Sequence, residues 1–311
     1  MNTFLRRLAP GMGLLVLVSG SVALGAWSAP TKLANAGDSI SQGFGANAMP
    51  WDHPSKSWAQ GTDDAVFSMF RRWGSWYSDL FSQEPESVTG AEMVGGGDNF
   101  PAQASRICAQ SPRPNRVEVL LGGNDVCNRA ASSSGDAAAN LYALDTWRAA
   151  IDAGLDQLAA CLPDGAVVQV LSMPRVDWLY EAGHDKSWWC SGVIWPAASV
   201  CRVVTNEDDP NRRRQIGTAI DEYNDVIRDE IAAYDADTNG RNPRKIRFAT
   251  DWKGSIASGQ SNTSLGTYVF GADEINGVDC FHPNTAGQAK LACTAWATHP
   301  DGFGEVSECL D

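Results

Sequence analysis

The apolar positions of this chain fall into two alternating periods. Continuous runs at 116–121 (RVEVLL), 166–171 (AVVQVL) and 246–249 (IRFA) read as strands buried on both faces, and a shorter apolar stretch leads into Gly37. Between these runs the period lengthens to three and four residues. Val66, Phe67, Phe70, Trp73 and Tyr77 predict a helix that Thr62 or Asp63 can cap. Leu141, Leu144, Trp147, Ile151, Leu155 and Leu158 predict a long helix ending near Cys161 and Pro163, and Ile216, Ile220, Tyr223, Ile227 and Ile231 share one face of another. Further helices are expected through Gln103 and Ile107 and over 285–296, and a short strand and turn over 87–94. Strands that alternate with helices need crossover connections, so a parallel sheet covered on both faces is expected.

Two stretches interrupt the pattern. Between Pro174 and Pro210 the period fades and Trp178, Trp188, Trp189 and Trp195 gather around Cys190 and Cys201. The stretch is too short for a core of its own, so it reads as an insertion (about 175–210) in one domain spanning 27–311. Packing around a local disulfide is the first expectation for its tryptophans. A substrate-facing lid is the alternative, since exposed aromatics can hold an acyl chain or a sugar ring. A loop of about thirty residues after Ala249 is the second interruption; such length usually has a functional reason or marks mobility.

The N-terminus changes the picture of where the protein works. Arg6 and Arg7, an apolar run over 12–22 and small residues at Ala23, Gly25, Ala26 and Ala29 form the three parts of a secretory signal peptide, assigned to 1–26. The run is shorter than the ~20 residues that span a bilayer, so the expected location is secreted or periplasmic. The 8 cysteines all lie beyond it, an even number that favours disulfides in an exported protein, and no C-x-x-C spacing suggests zinc. Sequence does not choose among their pairings; those expected are Cys190 with Cys201, Cys280 with Cys293 and Cys127 with Cys161, leaving Cys108 with Cys309 by elimination. A net charge of −13 excludes the basic stripe that a nucleic-acid partner needs. With 43% apolar residues the chain can bury a real core, which excludes general disorder.

Chemistry gathers in three short blocks. Gly37-Asp38-Ser39-Ile40 places one small hydroxyl in a turn after a strand, and Gly122-Gly123-Asn124-Asp125 repeats the strand and Gly-rich turn. Asp279 and His282 share a loop in which Pro283 stops any helix from including the histidine. A serine is a weak nucleophile unless a base, a group orienting the base and oxyanion donors accompany it. If these blocks meet at the C-terminal edge of the sheet, Ser39, Asp279 and His282 supply the first three.

Gly37-Asp38-Ser39-Ile40 resembles the GDSL signature with Ile for Leu, Gly123-Asn124-Asp125 its G-x-N-D block, and Asp279-Cys280-Phe281-His282 its D-x-x-H block. In that order, over nearly the whole mature length, the chain resembles the SGNH (GDSL-type) hydrolases. Gly122-Gly123-Asn124-Asp125-Val126-Cys127 is also similar to the subgroup that includes phospholipase B and acyloxyacyl hydrolase. The resemblance implies a three-layer α/β/α sandwich with a five-stranded parallel sheet. It further implies Ser39 as nucleophile, His282 as base, Asp279 as orienting acid, and an oxyanion hole from Ser39, Gly90 and Asn124, with no metal or organic cofactor. The glycine block departs from the family pattern, because Pro85 stands where an asparagine often precedes it, and Gly95, Gly96 or Gly97 are alternatives to Gly90.

The expected activity is therefore hydrolysis of carboxylic esters, on lipid or phospholipid acyl groups ahead of carbohydrate O-acetyl groups. The expected partners are a small-molecule or lipid ester and transient contact with a membrane surface or polysaccharide, the protein itself being a monomer. A non-catalytic glycan- or lipid-binding protein is the reading from another class, and the intact Ser39, Asn124, Asp279 and His282 argue against it. His53, His184 and His299 are rival bases without a repeated carboxylate spacing, so packing or surface roles are expected. Asp235-Ala236-Asp237-Thr238-Asn239-Gly240 opens like a calcium loop, but Ile246 stands where a bidentate glutamate is needed, so a polar turn is the stronger reading.

Overall fold

The computed structural model describes residues 28–301 except 48, 83–84, 132–134, 253 and 255–268. The signal-peptide assignment, most of the long loop after Ala249, and Cys309 lie outside the described residues. The chain has an α/β fold with a parallel sheet. Strands β1 (Lys32–Gly37), β2 (Phe81–Ser82), β3 (Arg116–Leu120), β4 (Val167–Val170) and β5 (Arg247–Ala249) stand in the order β2-β1-β3-β4-β5, each pair parallel. β1, β3, β4 and β5 carry the sheet; β2 adds two residues at its edge. Every residue of β1, β3 and β4 is buried, as continuous apolar runs in a parallel sheet require.

The helices are α1 (Met69–Gly74), α2 (Phe100–Ala109), α3 (Gly123–Arg129), α4 (Leu144–Cys161), α5 (Leu179–Lys186), α6 (Trp195–Ala198), α7 (Arg202–Thr205), α8 (Pro210–Asp235) and α9 (Thr285–Thr298). Side chains fix several of their starts: Asn99 caps α2, Asp209 precedes Pro210 at α8, and Asn284 caps α9 by accepting from Ala286 and Gly287 N–H. α4 packs on α2 at Gly154, where a Cβ would lie 2.3 Å from the ring of Phe100. Further along α4, Trp147 stacks on Tyr223 of α8 with centroids 4.1 Å apart.

Three expectations are corrected here. The helix expected from Thr62 is only α1, capped by Ser68, because Phe67 takes a left-handed backbone (φ 46°) that breaks helical continuity just before it. The strand expected at 87–94 is a turn, although Glu86 and Val88 N–H donate to the Asn35 and Gly37 carbonyls of β1. The cysteine pairs differ throughout: Cys108–Cys161, Cys127–Cys201 and Cys190–Cys280, with Cα separations of 5.6, 4.5 and 5.5 Å. Nearness in sequence is no guide when helices intervene, and these spacings are what a disulfide needs. Cys293 is disulfide-bonded too, to a cysteine other than Cys280.

The insertion is a chain of short helical segments, α5 to α7 with a π-helical turn at Cys190–Ile194, packed around the fully buried Trp195. Its two cysteines do not close on each other. Cys190 reaches the loop before α9 and Cys201 reaches α3, so the insertion is tied to two of the blocks singled out in the sequence.

The sheet also buries a polar row. Asn35, Glu118 and Gln169 are register neighbours on β1, β3 and β4, all fully buried. Gln169 Nε2 donates to Ala295 O and Thr298 Oγ1 of α9, both at 2.9 Å. Neither carboxyl oxygen of Glu118 has a hydrogen-bond partner among the described residues. Burial, partly opposed by Arg116, pushes this carboxyl up to about 8 from 4.5. The native group then keeps a proton that the unfolded chain has released, so its stabilisation is complete below pH 4.5 and lost as pH rises through about 8. Urea unfolding across pH 5 to 9 should show the wild type losing up to about 4 kcal/mol more than Glu118→Gln.

Candidate active site

β1 delivers its last residue, Gly37, into a turn that only a residue without a side chain permits. A Cβ there would lie 2.1 Å from Ser41 Oγ. Gln103 of α2 clamps the same residue, accepting from Gly37 N–H at 2.7 Å and donating to its carbonyl at 2.9 Å. The turn continues with Gln42 N–H to Asp38 O and Phe44 N–H to Ser39 O, and Asp38 Oδ1 accepts from Ile40 N–H at 2.9 Å. Burial pushes the Asp38 carboxyl up to about 6, against the pull of that N–H and of His282. Ser39 is thus held at the C-terminal edge of the sheet, 7% exposed.

His282 approaches from the loop before α9. Its Nε2 lies 2.9 Å from Ser39 Oγ, and its Nδ1 lies 2.7 Å from Asp279 Oδ2. A carboxylate only accepts, which assigns the imidazole proton to Nδ1 and leaves the Nε2 lone pair for the serine hydroxyl. Asp279 is itself fixed, because its Oδ1 accepts from Phe281 N–H at 2.9 Å and His282 N–H at 3.1 Å. The ring of Phe44 covers the imidazole at 4.6 Å between centroids.

The loop carrying both groups is fastened from several sides. Asn276 N–H donates to His282 O at 2.8 Å, and Ile275 bridges to Pro283. Asn276 Nδ2 donates to Gly45 O at 2.7 Å and Thr285 Oγ1 to Ala46 O at 2.8 Å, joining this loop to the one after Ser39. Cys280, held at φ 57°, adds the covalent tie to Cys190.

Asn124 opens α3 directly after β3. Gly122 turns the chain there with φ 123°, where a Cβ would meet Met173 Sδ and Trp147 Cη2 at 2.9 Å. Asn124 Nδ2 donates to Ala91 O at 2.9 Å. Gly90 (φ 88°) stands between that residue and Val88, which is bonded to the end of β1, with open space where a Cβ would project. Gly95 faces Glu92 and Tyr142 instead, while Gly96 and Gly97 have open surroundings. Asp125, to which the sequence reading gave no role, is buried and accepts from Met93 N–H at 2.6 Å and Val94 N–H at 3.0 Å. Burial pushes its carboxyl up to about 7. It pins the 91–97 segment to α3; its place beside Asn124 in the motif was the one available signal.

None of the other histidines is hydrogen-bonded to Ser39. His53 packs against Trp51, and His184 lies between Tyr180 and Trp195. His299 is buried against Trp73 and accepts from Asp301 N–H, with a pKa driven well below the ordinary value by burial and by Arg116 and Arg247. The oxygens of Asp235, Asp237 and Asn239 accept from Phe248, Asn242 and Arg241 N–H, which makes this stretch a polar turn. Among the described residues no three His, Cys, Asp or Glu side chains gather to hold a metal.

The arrangement can raise the nucleophilicity of one hydroxyl and return a proton to whatever leaves. The GDSL-like lipase/acylhydrolase family matches the chain over residues 36–290. No curated protein sequence matches it. Among solved structures, LAE5, an alpha/beta hydrolase enzyme from the metagenome of Lake Arreo in Spain, aligns at 15% identity over 92% of this chain and 98% of its own, with a TM-score of 0.47. A second crystal structure aligns at 13% identity over 85% and 93% of the two chains, with a TM-score of 0.44.

Asp125→Ala leaves two N–H groups without their acceptor, and urea unfolding should read a loss of about 2–4 kcal/mol.

Proposed function

Because the chain belongs to the GDSL-like lipase/acylhydrolase family, we propose that it is an exported serine esterase acting on the acyl esters of lipids. The observation that carries this reading is the unbroken chain from Ser39 Oγ through His282 to Asp279, at 2.9 and 2.7 Å. Ser39 Oγ attacks the ester carbonyl carbon while its proton passes to His282 Nε2, and the C=O electron pair moves onto the carbonyl oxygen. Asp279 holds the Nδ1 proton and stabilises the imidazolium. As the C–O bond to the leaving alcohol breaks, Nε2 returns the proton to that oxygen. Water, deprotonated by the same nitrogen, then attacks the acyl carbon; as the C–O bond to Ser39 breaks, Nε2 returns the proton to Oγ and the acid leaves.

Oxyanion donors in this mechanism are the Ser39 and Gly90 N–H groups and the Asn124 side-chain amide. Gly90 is favoured over Gly95, Gly96 and Gly97 by its position between Val88, bonded to the end of β1, and Ala91, bonded to Asn124. A three-layer α/β/α arrangement is supported by α9 bonding to Gln169 and by α2 and α4 packing together through Gly154 and Phe100. Export is supported by three disulfides, which form and persist in oxidising compartments. The similarity of the Gly122 to Cys127 block to the phospholipase B subgroup supports the lipid-directed choice.

The test is hydrolysis of short- and long-chain aryl esters, a phospholipid and an acetylated xylan. Ser39→Ala should lose activity by at least about 10^4-fold, and Asn124→Ala by about 10^2- to 10^3-fold in kcat. Hydrolysis unchanged in Ser39→Ala removes that residue from the mechanism, and preference for the xylan replaces the lipid reading with a carbohydrate O-acetyl esterase.

Breaking the tie between the insertion and the His282 loop should impair chemistry specifically. Cys190→Ala/Cys280→Ala is expected to lower kcat by about tenfold or more through misplacement of the imidazole. Cys108→Ala/Cys161→Ala, which unties α2 from α4, should lower stability by about 2–4 kcal/mol and leave kcat unchanged.

A further inference from the structure

Among the described residues, eight large apolar side chains are exposed; Trp76, Phe81 and Leu144 lie elsewhere, and five stand on the His282 loop or on segments bonded to it. Trp188 is 73% exposed and Trp189 48%. They immediately precede Cys190, whose disulfide joins Cys280 between Asp279 and His282. Val278, on that same loop, is also exposed. Met49 and Trp51, in the segment after Ser39, are exposed too; Trp51 O accepts from Gly45 N–H, and a Cβ on Gly45 would lie 3.5 Å from Asp279 Oδ2. All five stand on the loop that bears Asp279 and His282 or on the two segments bonded to it, one through Cys190–Cys280 and one through Asn276 Nδ2 and Gly45 O.

The backbone that carries the two exposed indoles is hydrogen-bonded locally. Trp189 N–H donates to Ser187 Oγ and Cys190 N–H to Ser187 O, both at 3.0 Å, and Lys186 Nζ donates to Ala272 O at 2.9 Å. Cys190 is bonded to Cys280, so the segment that carries the indoles is covalently tied to the His282 loop. Indoles left in water next to a reactive site suit an interface that is apolar on one side and wet on the other.

We infer that Met49, Trp51, Trp188, Trp189 and Val278 form an apolar collar that seats the active-site mouth on a zwitterionic lipid surface. The inference deepens the proposed esterase function and rests on it. The ring planes of Trp188 and Trp189 are 86° apart, so they offer no shared flat platform for successive sugar rings. The neighbours Asp52 and Asp185 are exposed, and the chain carries a net charge of −13, so an anionic bilayer is repelled and a zwitterionic one is not. With its helices too short or too polar to cross a membrane among the described residues, the contact is peripheral.

The test uses the full purified chain with phosphatidylcholine vesicles, phosphatidylserine vesicles, insoluble acetylated xylan and a soluble short-chain aryl ester. The wild type should float with phosphatidylcholine vesicles, with a blue shift of tryptophan emission, and bind phosphatidylserine vesicles more weakly. Trp188→Ser/Trp189→Ser should partition at least about tenfold more weakly and hydrolyse vesicle-borne ester correspondingly more slowly. Its turnover of the soluble ester should stay within about twofold, which also reports that it is folded. Trp76→Ser, in the connection between α1 and β2, should bind vesicles as the wild type does. Absence of vesicle binding by the wild type, unchanged binding by the double variant, or binding to xylan that the double variant loses each overturns the collar. Failure of the esterase reading is a separate outcome, namely no soluble-ester turnover by the wild type, whereas Ser39→Ala should still float with vesicles.

Discussion

The imidazole of His282 can serve Ser39 only while its other nitrogen is held, and Asp279 Oδ2 at 2.7 Å holds it. That hydrogen bond selects the tautomer that turns a lone pair toward the serine, and it fixes the ring plane as well. Little of this is provided by regular secondary structure. Asp279 and His282 sit in a loop whose shape comes from its own side chains, with Asp279 Oδ1 accepting two backbone N–H groups and Asn276 closing the loop back on His282. The sheet contributes the other partner, since β1 ends at Gly37 and the following turn lifts Ser39 to its edge.

The rest of the chain can be understood as bracing for that meeting. Asn276 and Thr285 tie the His282 loop to the loop after Ser39, Gln103 clamps the end of β1, and Asp125 holds the 91–97 segment, which follows Gly90, against α3. The insertion does the same covalently, with one disulfide to the His282 loop and one to α3. Buried carboxyls are the energetic cost. Glu118, Asp125 and Asp38 are pushed up to about 8, 7 and 6, and each favours the folded state less as pH rises through its value.

Legibility in the sequence followed the range of the interactions. The runs at β3, β4 and β5 and the long amphipathic helices α4 and α8 were readable because burial imposes its period directly on the residues. The early end of the Thr62 pattern was not, since a single left-handed residue, Phe67, outweighs a helical period. A two-residue edge strand such as β2 leaves no period to read. Ser39, Asn124, Asp279 and His282 stood out as local motifs. Gln103, Asp125 and Asn276 act across separations of 66, 32 and 231 residues, and nothing adjacent to Gln103 or Asn276 marks them. The disulfides failed for the same reason: Cys190 and Cys201 are neighbours in sequence but are bonded to different blocks in space.

The most direct measurement is labelling by a fluorophosphonate, which forms a covalent bond with a serine hydroxyl activated by a neighbouring base. Mass spectrometry of the digested protein should find one adduct, on the peptide containing Ser39, and His282→Ala should slow its formation by at least about 10^2-fold. An adduct on another serine, or labelling of Ser39 at an undiminished rate without His282, would contradict the account.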